Sequence, residues 1–160
     1  EGVTSNTHAM TIDLFPTIAN CIGASLPEHK IDGKSAVAVL EGRDGVTSPQ
    51  EAYFFYYKKN DLEAIRWGDW KLHFPHTYRS MNDNPVGSGG VPGKYDYSVK
   101  TGLELYNLRT DPSETTNIAD EHPEVMKKMH ELATNIREDL GDNLTDTEHQ
   151  GQRTVGIVID

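Results

Sequence analysis

The segment from Leu62 to Phe74 constrains the fold most, because it dictates a hairpin, its register and its two faces at once. Gly68-Asp69 supplies a two-residue turn with glycine in the place a type II′ turn requires. Counting outward sets Trp67 against Trp70, Arg66 against Lys71, Ile65 against Leu72 and Ala64 against His73. Side chains alternate along a strand. Ile65, Trp67, Trp70, Leu72 and Phe74 therefore share a core face, and Arg66, Lys71 and His73 share the other. Opposed like charges on a sheet are unfavourable. Three readings fit: an ordinary carboxylate covers Arg66 and Lys71, for example from the acidic C-terminal helix; an anionic ligand does; or one of the two side chains bends away.

Two further strands flank this hairpin. Residues 52–57 are an aromatic run with strand propensity. Residues 103–108 carry Leu103, Leu105 and Leu108 as apolar anchors before Asp111-Pro112 breaks the strand. Residues 123–140 then repeat Val125, Met129, Leu132, Ala133, Ile136 and Leu140 at helical spacing, with Pro123 in the first turn and Gly141 as terminator. The tail is polar until Val155 to Ile159, which reads as an edge strand.

Upstream, residues 3–12 look extended. A short helix follows, with Asp13 as its cap, Pro16 in its first turn, an apolar stripe of Phe15, Ile18, Ala19 and Ile22, and Gly23 at its end. Cys21 lies toward the apolar side, so a buried and inert thiol is expected. Residues 35–41 form a second short helix, and the polar linker 42–51 marks a boundary. Residues 80–101 are rich in Gly, Ser, Asn and Pro without periodicity, the pattern of a long functional or mobile loop.

The net charge of −10 argues against nucleic acid as a partner, and any anion site has to be cationic locally against that field. No apolar run approaches the roughly 20 residues of a membrane span. One cysteine forms no internal disulfide, so the compartment stays unread. Glu1 is not an initiator methionine, which suggests a piece of a longer protein.

The best site candidates are His73, His76, Tyr78 and Arg79. The strand ends at Pro75, and polar groups gather at its exit. Together they donate several hydrogen bonds to a charged or sugar-like ligand. In the plainer reading Tyr78 packs and His76 is a solvated loop residue. A His-x-x-His zinc pair is disfavoured: within a strand that spacing sends the rings to opposite faces, and a structural zinc site wants four ligands. Asp111 is expected to cap its turn and Glu114 to be exposed.

Four segments, in order, carry a resemblance. Asp111-Pro112-Ser113-Glu114-Thr115-Thr116-Asn117 after its strand is similar to the C-terminal subdomain of the sulfatases. Thr11 to Ile18 is similar to that family's Asp-Leu-x-Pro-Thr helix. Ile31-Asp32-Gly33-Lys34-Ser35 with Leu40-Glu41-Gly42 is similar to the loop after it, and Trp67 to Leu72 to its hairpin. The arylsulfatase A-like branch fits best.

The resemblance implies an α+β fold: a small four-stranded antiparallel sheet packed by a long C-terminal helix. It is preceded by the last helical segments of an α/β, alkaline-phosphatase-like sulfatase domain. Residues 1–45 would end the catalytic domain and 46–160 form the C-terminal subdomain. The family's Cys/Ser-x-Pro-x-Arg motif, source of its formylglycine, and its calcium site belong to the N-terminal part. Here Cys21 is followed by Ile22-Gly23-Ala24-Ser25, so no catalytic, cofactor or metal residue is carried over. The expected role is hydrolysis of sulfate esters by the whole protein, with this part completing the structure and shaping the cleft rim through His73 to Arg79, and inactive alone. The expected partners are the N-terminal catalytic domain and a sulfated small molecule or glycan, without nucleic acid or membrane, in a periplasmic or secreted setting. Residues 1–45 are expected to expose apolar surface where the parent sheet docks. The alternatives are a non-catalytic carbohydrate- or anion-binding module and, third, a purely structural adaptor.

Overall fold

The computed structural model describes residues 4–153, which form two compact units dividing after Glu51. Val155 to Ile159 lie outside the described residues.

The first unit is organised by one carboxylate. A 3-10 turn, Thr11–Asp13, leads into helix α1, Leu14–Ile22, and a single helical turn, α2, spans Val37–Leu40. Asp13 is fully buried and makes no side-chain cap bond to α1. Instead Oδ2 accepts from the Met10 amide (3.0 Å), and Oδ1 accepts from the Lys34 amide (2.9 Å) and Gln50 Nε2 (2.6 Å). Burial alone would raise the Asp13 pKa, but the amides of Lys34 and Met10, with Gln50 and the Lys34 charge, hold it below the usual value. Thr17, also buried, takes the Ala36 amide on its hydroxyl at 2.8 Å. Gly33 is required by close approach: a Cβ there would lie 1.9 Å from the Ile12 carbonyl oxygen. The Asp-Leu-x-Pro-Thr and Asp-Gly-Lys-Ser segments are thus two halves of one hydrogen-bonded knot. Cys21 corrects the expectation of burial, since it is exposed on α1. Leu14, Phe15, Ile18 and Ile22 are exposed on the same helix.

The second unit holds the expected α+β core. Strands β1 (Tyr53–Tyr57), β2 (Asp61–Trp67), β3 (Trp70–His73) and β6 (Glu104–Asn107) form an antiparallel sheet in the order β1-β2-β3-β6. All four hairpin pairs occur as counted, from Trp67↔Trp70 to Ala64↔His73. Gly68 has φ 57° while Asp69 is not among the positive-φ residues, the combination of a type II′ turn. Helix α3, Pro123–Leu140, lies on the core face. Val125, Met129, Leu132 and Ala133 meet Leu62, Ile65, Leu72, Phe74 and Leu105 there. Each large aliphatic group so buried contributes about 1.5–3 kcal/mol.

A second sheet takes both ends of the stretch expected as a long loop, while residues 81–95 between them belong to no strand. After Pro75 the chain resumes as β4 (His76–Ser80), which pairs with β5 (Asp96–Thr101) in a two-stranded ribbon. Both strands expose residues on each face, so neither has the alternation of a half-buried strand.

The turn after β6 shows why its residue types are needed. Asp111 caps it, accepting from the Thr115 and Thr116 amides at 2.8 and 2.9 Å. Asn117 covers the outer edge of β6, with Oδ1 accepting from the Leu105 amide (3.0 Å) and Nδ2 donating to the Leu103 carbonyl (3.2 Å). An edge occupied in this way cannot recruit another strand.

The far end of α3 is locked by Asp142, which the sequence offers only as the start of a polar tail. Its side chain is fully buried. Oδ1 accepts from the Leu62 and Leu144 amides, and Oδ2 pairs with Arg137 Nε at 2.8 Å. The Arg137 guanidinium lies 4.4 Å from the centre of the Phe74 ring. Tyr56 donates to the Gly141 carbonyl at 2.9 Å, and burial, with the nearby Asp142 charge, pushes its pKa up to about 12.

Candidate functional site

The sheet face opposite α3 carries the cationic residues, and their partner is Glu114. Lys71 Nζ lies 2.6 Å from Glu114 Oε1, and His73 Nε2 lies 2.8 Å from Oε2. Glu114 comes from the Asp-Pro turn rather than the C-terminal helix and is half-buried, not exposed. It adopts φ 56°, a left-handed conformation uncommon for a residue with a side chain. Arg66 turns aside, its Nε donating to the Gly68 carbonyl at 3.1 Å. Lys71 thus has its carboxylate, from a residue other than one on the C-terminal helix, while Arg66 is the side chain that bends away.

Burial, followed by the Lys71 charge, lowers the His73 pKa, and the Glu114 hydrogen bond only partly opposes this. Nε2 is the donor of the pair, because the Glu114 carboxylate only accepts. Burial would raise the Glu114 pKa, but the hydrogen bonds from Lys71 and His73 outweigh it and hold the carboxyl below its ordinary value. Tyr106 completes the cluster edge-on to His73, with its hydroxyl on Glu104 at 2.7 Å. Burial and that bond raise its pKa.

A β-bulge extends the polar face into β2. Phe55 pairs with Ala64 and Tyr56 with Leu62, leaving Glu63 as the extra residue. The bulge keeps Leu62 in the core and frees Glu63 to reach His76, whose Nε2 lies 3.4 Å from Oε2. His76 also donates from Nδ1 to the Phe74 carbonyl at 2.7 Å, and its side chain is only 6% exposed. The His73 and His76 rings are stacked, 6.0 Å between centroids, rather than on opposite faces. The reason is that Phe74-Pro75 turns the chain between two strands, so the alternation rule does not apply across them.

The structure divides the four sequence candidates into two pairs. His73 is half-buried against Glu114, and the His76 side chain is enclosed between Phe74 and Glu63. Tyr78 and Arg79 reach a cleft of about 550 Å³ between the ribbon and the β1–β2 end of the sheet, with Tyr57, Lys58, Glu63 and Tyr97 as its other lining residues. Lys58, at φ 41°, bridges to the ribbon: Nζ donates to the Thr77 carbonyl at 2.7 Å and to its hydroxyl at 2.9 Å. Arg79 rests on the Tyr95 ring, 5.2 Å from its centroid, and Tyr95 in turn tilts against Tyr97. The sequence reading missed Tyr57, Lys58, Glu63 and Tyr97. One signal for Tyr97 was available: Tyr95, Tyr97 and Val99 alternate inside the Gly-rich stretch.

Cys21 sits on an exposed helix face, followed by Ile22 and Gly23. Among the described residues no group of three His, Cys, Asp or Glu side chains could hold a metal, and no helix is long and apolar enough to cross a membrane.

Comparison with known proteins gives a consistent result. Residues 48–155 match the family model for the C-terminal region of aryl-sulfatase. Arylsulfatase A of Homo sapiens is 31% identical over 132 residues, covering 78% of this chain and 25% of the relative. Steryl-sulfatase of Homo sapiens is 37% identical over 141 residues, covering 76% and 23%. A solved structure described under the metabolism of multiple glycosaminoglycans by Bacteroides thetaiotaomicron superposes with a TM-score of 0.54 at 30% identity, covering 78% of this chain and 24% of that one. The chain spans about a quarter of the length of these relatives. With its edge-covering Asp-Pro turn, its II′ hairpin and its long helix in the matched region, the chain belongs to the sulfatase family and corresponds to the C-terminal region of aryl-sulfatases.

Proposed function

We propose that this chain serves as the C-terminal part of a sulfuric ester hydrolase, where it completes the fold and selects the substrate at the rim of the reaction cleft. The observation that carries the proposal is the ribbon cleft, whose lining joins two cations, Lys58 and Arg79, to three tyrosines and one carboxylate, Glu63, in a protein of net charge −10. A local cationic site of this kind draws in an anion that the overall field repels. Cleaving a sulfate ester needs a positioned nucleophile and charge stabilisation at the departing oxygen. Those tasks, with formylglycine and calcium, fall to the N-terminal catalytic domain, which is the partner of this chain.

The relatives' names support a selecting role. One is an arylsulfatase, one a steryl-sulfatase and one is described under glycosaminoglycan metabolism, so the same C-terminal region accompanies enzymes named for different substrates. The exposed face of α1 suits docking of the catalytic domain, because apolar side chains in that number are costly to leave in water. The substrate is a sulfated small molecule or glycan, and the setting is periplasmic or secreted.

The test compares this chain with the complete enzyme on an aryl sulfate. Turnover is expected from the complete enzyme only. In the complete enzyme Arg79→Ala raises KM for the natural substrate about tenfold and leaves kcat within about twofold, the pattern of lost uniform binding. Robust turnover by this chain alone would overturn the division of labour.

A further inference from the structure

The ribbon carries a second β-bulge, and it decides which side chains share a face. Tyr78 pairs with Val99 and Ser80 with Asp96, so Arg79 alone stands opposite two residues, Tyr97 and Ser98. A one-residue offset reverses the face of every side chain beyond it. In an unbroken ladder Ser80 would oppose Tyr97, and Tyr95 would lie on the Ser80 face, away from Arg79. With the offset, Asp96 takes the Ser80 face and Tyr95 falls on the Arg79 face. The side chains agree: the Arg79 guanidinium lies 5.2 Å from the centre of the Tyr95 ring.

Asp96 spans the offset. Its Oδ1 accepts from the Ser98 amide at 2.8 Å and from the Ser98 hydroxyl at 2.6 Å, which ties the bulged segment back on itself. Its Oδ2 accepts from Asn82 Nδ2 at 3.0 Å, which reaches across to the chain leaving β4. There the Asn82 amide donates to Ser80 Oγ, also at 3.0 Å. The Ser98 hydroxyl and amide, then Asn82, hold the Asp96 carboxyl below its ordinary value, so it is an ionised acceptor at neutral pH. The other end of the ribbon is pinned separately, by Lys58 on Thr77 and by Glu63 on His76.

We propose that Asp96 is a positioning residue: it fixes the offset of β5 against β4 and thereby sets Arg79 on Tyr95 at the wall of the cleft. Asp96 is not one of the cleft's lining residues, so it acts through Arg79 and not on a ligand. The proposal rests on the reading of the cleft as substrate-selecting and adds what keeps its arginine in place.

The experiment uses NMR of the 160-residue chain and follows the side-chain protons of Arg79, which an aromatic ring beneath them shifts upfield. Tyr95→Leu supplies the unshifted reference. Asp96→Ala is expected to remove most of the shift, while amides of β2 and β3, which belong to the other sheet, report that the core is intact. Asp96→Asn keeps Oδ1 for Ser98 and gives up the Oδ2 acceptor, so it should retain part of the shift in a milder variant. In the complete enzyme Asp96→Ala is expected to raise KM for 4-nitrophenyl sulfate severalfold with kcat within about twofold, and to add nothing once Arg79 is alanine, because residues acting through one another are not additive. An Arg79 shift that survives Asp96→Ala, or a KM effect that persists in full beside Arg79→Ala, would overturn the inference. If Arg79→Ala itself leaves KM unchanged, the selecting role of the cleft fails instead, and the Arg79 shift still decides the role of Asp96.

Discussion

In the first unit the buried residues are Asp13 and Thr17 beside small side chains such as Ala19 and Ala36, while Phe15, Ile18 and Ile22 face outward. In the second unit Leu62, Ile65, Leu72, Leu105 and Met129 are fully buried, and Glu124, Lys127, Glu131 and Glu138 of α3 are exposed. One unit is held by hydrogen bonds converging on a carboxylate. The other is held by an apolar core between sheet and helix. A core stabilises by removing area from water, which needs no partner protein. A hydrogen-bonded knot fixes geometry but adds little net stability per bond, about 1 kcal/mol. The contrast teaches that local order and independent stability are separate properties, and that the first unit has much more of the former.

The largest expected effect comes from removing core. Leu72→Ala should cost the second unit about 4 kcal/mol, since it deletes a fully buried side chain facing Leu105. Both tryptophans, Trp67 and Trp70, lie in this unit, so denaturant unfolding followed by tryptophan fluorescence reads it directly. A shift below about 1 kcal/mol would break the core side of the comparison.

Next is the polar exception within the apolar unit. Asp142→Ala strands the Leu62 and Leu144 amides and the Arg137 guanidinium, at a cost of about 3 kcal/mol in the same assay. Asp142→Asn keeps one acceptor but loses the charge, so it should recover only part of that loss.

Acid sharpens the picture on the other sheet face. His73 has a lowered pKa when folded, so the unfolded chain takes up a proton first, and stability falls as pH drops below the ordinary histidine value of 6.5. Glu114 also has a lowered folded pKa, so its contribution is present above the ordinary value of 4.5 and fades as pH falls below it. Tyr56 runs the other way. Its folded pKa of about 12 stands above the ordinary value of 10.0, so its contribution is full below 10.0 and is lost as pH rises through about 12. Unfolding midpoints measured across pH should show the first acid stage disappear in His73→Gln while the alkaline one remains.

The legible parts of the fold were those governed by a period. The hairpin register follows from one turn and a period of two, and α3 from apolar spacing between Pro123 and Gly141. The ribbon escaped because β4 and β5 expose residues on both faces, so the one alternation present, Tyr95, Tyr97 and Val99, is short and sits in a Gly-rich stretch. Glu114 looked exposed because a residue after Asp-Pro is ordinarily a loop residue. Only its left-handed backbone and the Lys71–His73 pair across the sheet bring it in. Asp142 was illegible for a similar reason: a lone acid after a helix-ending glycine gives no hint that two amides from elsewhere point at it. At the site, Tyr78 and Arg79 were found through their proximity to a strand end. Glu63 was missed because a one-residue bulge reverses its face, and no sequence rule places bulges.

The smallest expected effect tests the exposed face of the first unit. Ile18 and Ile22 are 59% and 72% exposed on α1, so Ile18→Ser with Ile22→Ser removes little buried area. Their stability cost should stay within about 0.5 kcal/mol each, close to the intrinsic helix propensity difference alone. Sedimentation of this chain should at the same time show less self-association in the double variant, because the variant loses apolar surface that water cannot accommodate cheaply. The two readouts separate the possibilities that the comparison leaves. A large loss of stability with unchanged sedimentation would mean that these isoleucines already have a cover within the chain, and the inside-out description of the first unit would fail. Unchanged stability with reduced association means that the helix is finished as a local structure but not as a surface, which is the state expected of a segment whose apolar face is completed by a partner.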